Sequence, residues 1–263
     1  LSHCLNREVV RVGCCGFPVS RNKYFSTFSI VELQNTFYEP PDLDWAESFR
    51  ESIPQGFAVT MKAWQALTHL STSPTWRKMK APIRGAIENY GWLKPTNENI
   101  EAWARVIEVA KALRACAVVL QTPPNMPFNE ESVDWVKAFF REAMSIAPKD
   151  LVVGWEPRGE WASNKSTEFL RAILEGNCVT NVVDLFKRMP VYVYKVLYTR
   201  LHGIGPGETN YKYKYSDEDL INLAKYLMEL KYPHSYVMFN NVYMFSDAKR
   251  FKEIAEMRGV AVG

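Results

Sequence analysis

Residues 198–203 read Tyr-Thr-Arg-Leu-His-Gly, an apolar run that ends in charge and a glycine turn. Side chains two apart on a strand share a face, so Arg200 and His202 would leave a strand end side by side. A permanent cation beside an imidazole suits an anionic group whose reaction also moves a proton. The spacing recurs: Glu156 with Arg158, Glu32 with Gln34, and Thr60 with Lys62. Gln121, Asp184, Asn240 and Asn241 also close apolar runs, and His69 follows one. Lys62, Arg158 and Arg200 would grip a phosphate or carboxylate, which guanidinium groups meet in bidentate fashion. His202 with Glu32 or Glu156 would serve as acid and base, and Gln121, His69, Asp184, Asn240 and Asn241 would complete the binding set. Structural readings stand beside these. Glu156 and Arg158 also suit an internal ion pair, Glu32 an acid held by Lys62 or Arg200, and His69 a satisfied structural imidazole.

Other chemistries fit less well. Zinc and multi-metal centres want several His or Cys with carboxylates. Only His69 and His202 fall near the presumed site, so no His-rich zinc cluster is expected. One divalent metal ion on Glu32, Glu156 and Asp184 is the cofactor the carboxylates would admit. No G-x-S-x-G elbow supports a serine triad, and no C-x-x-C pair is present. Cys14 or Cys15 would need a cation or a helix dipole to act as a nucleophile. The five cysteines, Cys4, Cys14, Cys15, Cys116 and Cys178, are scattered and odd in number. They do not read as a disulfide framework; Cys116 and Cys178 read as buried thiols, and a reducing, cytoplasmic setting follows. His3 and His234 carry no signal.

These residues need a frame to bring them together. Eight short apolar runs, at 9–14, 30–34, 57–63, 117–121, 151–156, 179–184, 195–202 and 236–240, read as strands. Helical periodicity lies between them. Residues 97–114 put Ile100, Trp103, Ile107 and Ala110 on one face, with acids first and bases last, as the helix dipole favours. Residues 131–147 do the same with Val133, Val136, Phe140 and Met144. Ser216 and Asp219 form an acidic capping box, and Gly176 and Gly259 would end helices. Strand–helix alternation predicts a parallel sheet flanked by helices. Eight repeats in 263 residues predict an α/β fold, a (β/α)8 TIM-like barrel forming a single domain over 1–263. Its active site would lie at the carboxyl ends of the strands, where all the residues above sit. A doubly wound open sheet is the alternative, weakened because no glycine-rich fingerprint follows the first strand.

Two stretches break the rhythm. Residues 71–97 form an excursion over the barrel mouth, with Arg77, Lys78, Lys80, Arg84 and Lys94 among Trp76, Tyr90 and Trp92. Residues 204–215 make a tyrosine-rich loop over the same end, and the connection around Met189–Pro190 is too short for a full helix. No apolar run reaches the roughly 18–20 residues of a membrane span, so no membrane partner is expected. The net charge of +3 permits a nucleic-acid partner without arguing for one.

The ordered motifs resemble a known family. Gly13-Cys-Cys-Gly-Phe17 resembles G-T-S-G-W, and Val31-Glu-Leu-Gln-Asn-Thr-Phe-Tyr38 resembles V-E-I-N-S-T-F-Y. Phe57-Ala-Val-Thr-Met-Lys-Ala63 with Thr68-His69 resembles F-x-F-x-V-K-A followed by T-H. Leu120-Gln-Thr-Pro-Pro124, Glu156-Pro-Arg158, Thr199-Arg-Leu-His-Gly203 and Met238-Phe-Asn-Asn241 resemble F-Q-L-P-P, E-F-R, V-R-L-H-G and Y-x-F-N-N. These are motifs of the YecE-like family, domain of unknown function 72. The chain departs from the pattern at Phe17, at Gln34, and at Gly159, where a His commonly follows. The resemblance implies a TIM-like barrel and no established reaction. The fold it implies is similar to that of endonuclease IV and sugar isomerases.

On these grounds the barrel mouth is expected to take an anionic, phosphate-bearing substrate, with phosphoester hydrolysis, including that of nucleic acid, as the reaction class. Two alternatives are a nucleic-acid-binding module without turnover, using the loops at 76–94 and 211–215, and a barrel that binds a small metabolite. The oligomeric state is not set by the sequence.

Overall fold

In the computed structural model, residues 9–263 are described. Each of the eight apolar runs contributes a strand: β1 Val9–Cys15, β2 Ile30–Leu33, β3 Ala58–Lys62, β4 Ala117–Gln121, β5 Val152–Glu156, β6 Thr180–Asn181, β7 Leu197–Leu201 and β8 His234–Phe239. Every ladder between them is parallel, in the order β6-β5-β4-β3-β2-β1-β8-β7. A parallel bridge between Val183 and Thr199 joins the two edges and nearly closes the barrel.

Among the described residues seven α-helices wrap the outside: α1 Arg21–Phe25, α2 Leu43–Glu51, α3 Asn97–Ala112, α4 Glu130–Ile146, α5 Thr167–Asn177, α6 Asp217–Leu230 and α7 Met244–Met257. The faces read from periodicity are the buried ones. Trp103, Ile107 and Ala110 of α3 and Val133, Val136 and Phe140 of α4 pack inward, with Ile100 and Met144 half-buried at the edge. Thr96 caps α3, and the Ser216–Asp219 box opens α6, each residue accepting the other's backbone N–H. Gly259 takes positive φ after α7, as expected. Gly176 does not: α5 runs one residue past it, and Cys178 adopts the left-handed conformation, φ 55°. That position leaves Cys178 exposed rather than buried. Cys116 is disulfide-bonded, not a thiol, which removes the cysteine argument for a reducing compartment. Cys4 and His3 lie outside the described residues. Among the described residues no helix is long and apolar enough to cross a membrane.

The sixth run forms far less ladder than its length suggests. Residues 191–196 take the place of a strand neighbour and of the missing helix. Asn181 donates its N–H to the Tyr192 carbonyl, while its Oδ1 accepts from Val191 N. The Thr180 hydroxyl donates to the Val196 carbonyl.

The period-2 alternation of strands decides what faces the barrel interior. A core of Ile30, Ala58, Ala117, Val119, Val152, Val182, Tyr198, Tyr236 and Met238 fills it. One pleat further along the same inward faces come Glu32, Thr60, Lys62, Gln121, Glu156, Asp184, Arg200 and Asn240. The polar residues are therefore the top layer of the barrel filling, held in place by the apolar layers beneath.

Candidate active site at the carboxyl rim

Arg200 is the hub of that layer and is fully buried. Its Nε donates to Glu32 Oε1 at 3.0 Å, and its Nη2 lies 2.9 Å from the same oxygen. Nη1 donates to Gln121 Oε1 at 2.9 Å and to Glu156 Oε2. Arg158 grips the other Glu156 oxygen, with Nε at 3.0 Å and Nη2 at 2.8 Å, and reaches Gln121 Oε1 at 3.2 Å. His202 Nε2 stands 3.2 Å from the same Glu156 oxygen. Four strands thus meet in one hydrogen-bonded net, because β7 crosses to β2, β4 and β5 through one guanidinium group. Burying two carboxylates and two guanidinium groups is tolerable only when each charge is paired in this way.

Burial alone would raise Glu156, but Arg200, Arg158 and His202 outweigh it and hold the carboxyl well below its usual range. Burial lowers His202, and the attraction of Glu156 does not offset it. Asn240 Nδ2 sits 3.2 Å from Nδ1 and can donate to it, while Nε2 stands between Glu156 Oε1 at 3.2 Å and Arg158 Nη2 at 3.3 Å. Burial raises Asp184 to about 6 against the backbone N–H groups of His202 and Phe186 that it accepts. Asp184 therefore anchors the strand carrying His202. Asn241 points elsewhere: its amide donates to Asp247 and to the Tyr213 carbonyl, tying the tyrosine loop to α7.

Lys62 stands apart from the net. It does not pair with Glu32, whose carboxylate is filled by Arg200, Gln34, Tyr198 and the Cys15 thiol. Its ammonium group lies 3.9 Å from the centroid of the Phe37 ring and makes no hydrogen bond or ion pair among the described residues. Burial, and then the neighbouring Arg200, lower Lys62 to about 7. His69 follows in the turn after β3, edge-on to the same Phe37 ring at 5.1 Å. Burial and the charge of Lys62 lower it to about 3, so His69 is neutral.

The excursion at 71–97 braces this turn. Trp76 Nε1 donates to the His69 carbonyl at 3.0 Å, and Gly91, Trp92 and Leu93 donate backbone N–H groups to Ala66, Thr68 and Leu67. Trp76 and Tyr90 are buried, so these rings serve packing and are not displayed for stacking on bases. Tyr215 is buried too, while Tyr211 is exposed and lies edge-on to His202 at 6.0 Å.

Glu32 and Glu156 are turned onto Arg200, and Asp184 onto backbone amides. Among the described residues no group of three or more His, Cys, Asp or Glu is gathered for a metal ion. Cys15 is buried against Glu32 with its thiol pushed up, and burial pushes Cys14 up to about 12, so neither is a thiolate. A groove of about 550 Å³ between α2, α3 and the excursion lies away from these groups.

Sequence reasoning missed Tyr198 and Phe37 and gave Gln34 no role. Tyr198 donates to Glu32 at 2.7 Å and sits 2.8 Å from the Thr60 hydroxyl. Its signal was available: it precedes Arg200 by two on the same face. Phe37 could be read only as an apolar residue after a strand.

A family model described as "Protein of unknown function DUF72" matches residues 20–262. No curated protein matches the chain. A DUF72 family protein from Enterococcus faecalis V583 superposes with TM-score 0.69 at 18% identity, covering 97% of this chain and 99% of that one. Another from Thermotoga maritima MSB8 gives 0.61 at 24%, covering 94% and 99%. Endonuclease IV from Thermus thermophilus gives 0.55 at 12%, covering 94% and 99%. At these identities the likenesses show a shared barrel fold.

Proposed function

The chain belongs to the DUF72 family, and from its rim we propose an enzyme that takes an anionic, phosphate-bearing substrate and uses Lys62 as its proton-transferring group. Phosphoester hydrolysis is the reaction class this arrangement suits. The observation that carries the reading is the unpaired Lys62 amine, set among cations whose own partners are already fixed. Lys62 and the outer edge of Arg158 meet the anion. Arg200, Glu32 and Glu156 form the rigid floor, with His202 and Glu156 as a coupled pair that aligns the substrate from the β7 side. Asn240, His69 and Gln121 line the approach. A group titrating near working pH is the efficient acid or base, and Lys62 at about 7 meets that condition where Glu156 does not.

Similarity of fold to a named endonuclease IV supports a phosphoester substrate by analogy alone. The burial of Trp76 and Tyr90 favours this reading over a stacking module for nucleic acid. The test is a panel of phosphomonoesters and phosphodiesters, single-stranded nucleic acid included, with and without added divalent ions. Turnover is expected to follow one ionisation near pH 7, and Lys62→Met should lower kcat/KM by about 100-fold or more. A folded protein that turns over nothing in the panel, or a Lys62→Met variant as active as the parent, overturns the reading.

A further inference from the structure

The tyrosine loop alternates Tyr211-Lys-Tyr-Lys-Tyr215, and its three rings have different fates. Tyr215 is buried, stacks on Phe186 and accepts the Gly203 N–H at 2.8 Å. Tyr213 donates to Asp219 Oδ2 at 2.8 Å. Tyr211 stays 46% exposed, with its ring edge-on to His202. Its backbone is nevertheless held from both sides. Asn210 N donates to the His202 carbonyl at 2.7 Å, and Val242 N donates to the Tyr211 carbonyl at 2.7 Å. Asn210 Nδ2 donates to the Ile204 carbonyl, and Asn241 Nδ2 to the Tyr213 carbonyl. Gly203, at φ +86°, lets the loop press this close, since a Cβ there would lie 2.1 Å from the Asn210 carbonyl oxygen. An exposed ring on such a backbone is a placed surface. Val242 and Tyr243 beside it are 66% and 43% exposed, so apolar side chains gather on this sector of the rim. Met228 and Met257, by contrast, lie singly on the outer helices, as surface apolar residues commonly do.

We propose that Tyr211 is a stacking platform for a nucleobase, so that the phosphate-bearing substrate is a nucleotide. In a nucleotide one sugar separates the phosphate from the base. On this rim one side chain, His202, separates Arg158 from Tyr211: its Nε2 is 3.3 Å from Arg158 Nη2, and its ring centroid is 6.0 Å from that of Tyr211. The phosphate would rest at Arg158 and the base on the exposed face of Tyr211, with Val242 and Tyr243 as the outer edge of the shelf. Lys212 and Lys214 are exposed on the same loop, and Lys214 lies over the Tyr243 ring at 5.6 Å. Cations interleaved with exposed rings serve both halves of a nucleotide, the charge and the π-face. A bare sugar phosphate would turn its hydroxyl groups toward two rings and a valine, a surface that suits a flat base better. Tyr211 is thereby a binding residue that sets specificity. This inference rests on the reading of the rim as an anion site, and not on hydrolysis.

Four probes separate the parts of such a ligand: inorganic phosphate, ribose 5-phosphate, adenosine and adenosine 5′-monophosphate. Each is titrated into the full chain by calorimetry. The monophosphate should bind about 10-fold or more tighter than ribose 5-phosphate, the gain that stacking one base supplies. Tyr211→Ala should bring the two within about twofold of each other and leave the affinity for inorganic phosphate unchanged, while Tyr211→Phe keeps the difference. A parent protein that binds ribose 5-phosphate as tightly as the monophosphate overturns the proposal, and that result needs no variant to fold. So does an advantage that survives Tyr211→Ala, or a variant that loses phosphate and the monophosphate alike. Phosphate bound with no gain from the base removes the platform and leaves the anion site. Adenosine bound through Tyr211 with phosphate unbound supports the platform and removes the anion site. No binding of any probe overturns both.

Discussion

At the scale of single residues, Arg200 and Lys62 are opposites. Arg200 is buried and bonded to Glu32, Gln121 and Glu156, and its charge is needed to compensate the two carboxylates. Arg200→Met would strand two buried carboxylates, a change that costs about 3–5 kcal/mol, read as a lowered urea midpoint at neutral pH. Lys62 costs stability instead. The unfolded chain holds this proton up to about 10.5, whereas the folded chain releases it at about 7. Between those values the unfolded state binds more protons, so stability rises with pH. The penalty is fully present below pH 7 and gone above about 10.5. Lys62→Met should therefore raise Tm at pH 6, with the gain closing by pH 10; a gain that is flat or grows with pH would contradict this. Both residues were legible as inward cations at strand ends. Which one was paired was not. Arg200 and Glu32 are 168 residues apart, and the isolation of Lys62 depends on both carboxylates being filled by others.

At the scale of elements, the excursion at 71–97 reads in sequence as a basic, aromatic surface and folds as a brace. Charge shows in composition, but whether an aromatic ring faces in or out depends on what the turn after β3 offers it. Gly91 marks the tightest point. It has φ +84°, and a Cβ there would come within 2.7 Å of the His69 carbonyl oxygen. Gly91→Ala should destabilise by about 1–3 kcal/mol and displace the turn holding His69, raising KM for an anionic substrate more than Ala substitution at exposed Gly56. Unchanged KM and stability would mean that the brace does not set the rim. Helices α3 and α4 were legible because a burial face repeats every 3.6 residues. Strand β6 was misread in length because Thr180 and Asn181 bond a loop that no local pattern announces.

At the scale of the molecule, the number and direction of the strands followed from alternation, but the quality of closure did not. The seam between β6 and β7 is one bridge, with Val183 N donating to Tyr198 O and Arg200 N to Val183 O. Two ladders further round, β1 and β8 pair continuously from Val9 to Cys14. Local opening follows the least-bonded region, so in native-state hydrogen exchange the amide of Val183 should exchange well before those of Val12 and Val237. Equal protection around the ring would show a barrel closed as firmly at the seam as elsewhere.

Whether the amine at the end of β3 is neutral at working pH decides between a reactive rim and a passive one. With lysine side chains isotopically labelled and Lys62→Arg used for assignment, its nuclear magnetic resonance titration reads that state directly. The prediction is a midpoint near 7 that moves upward when inorganic phosphate is added. A midpoint near 10.5, unmoved by phosphate, would leave an ordinary lysine above a well-packed barrel and contradict the assignment of chemistry to this rim.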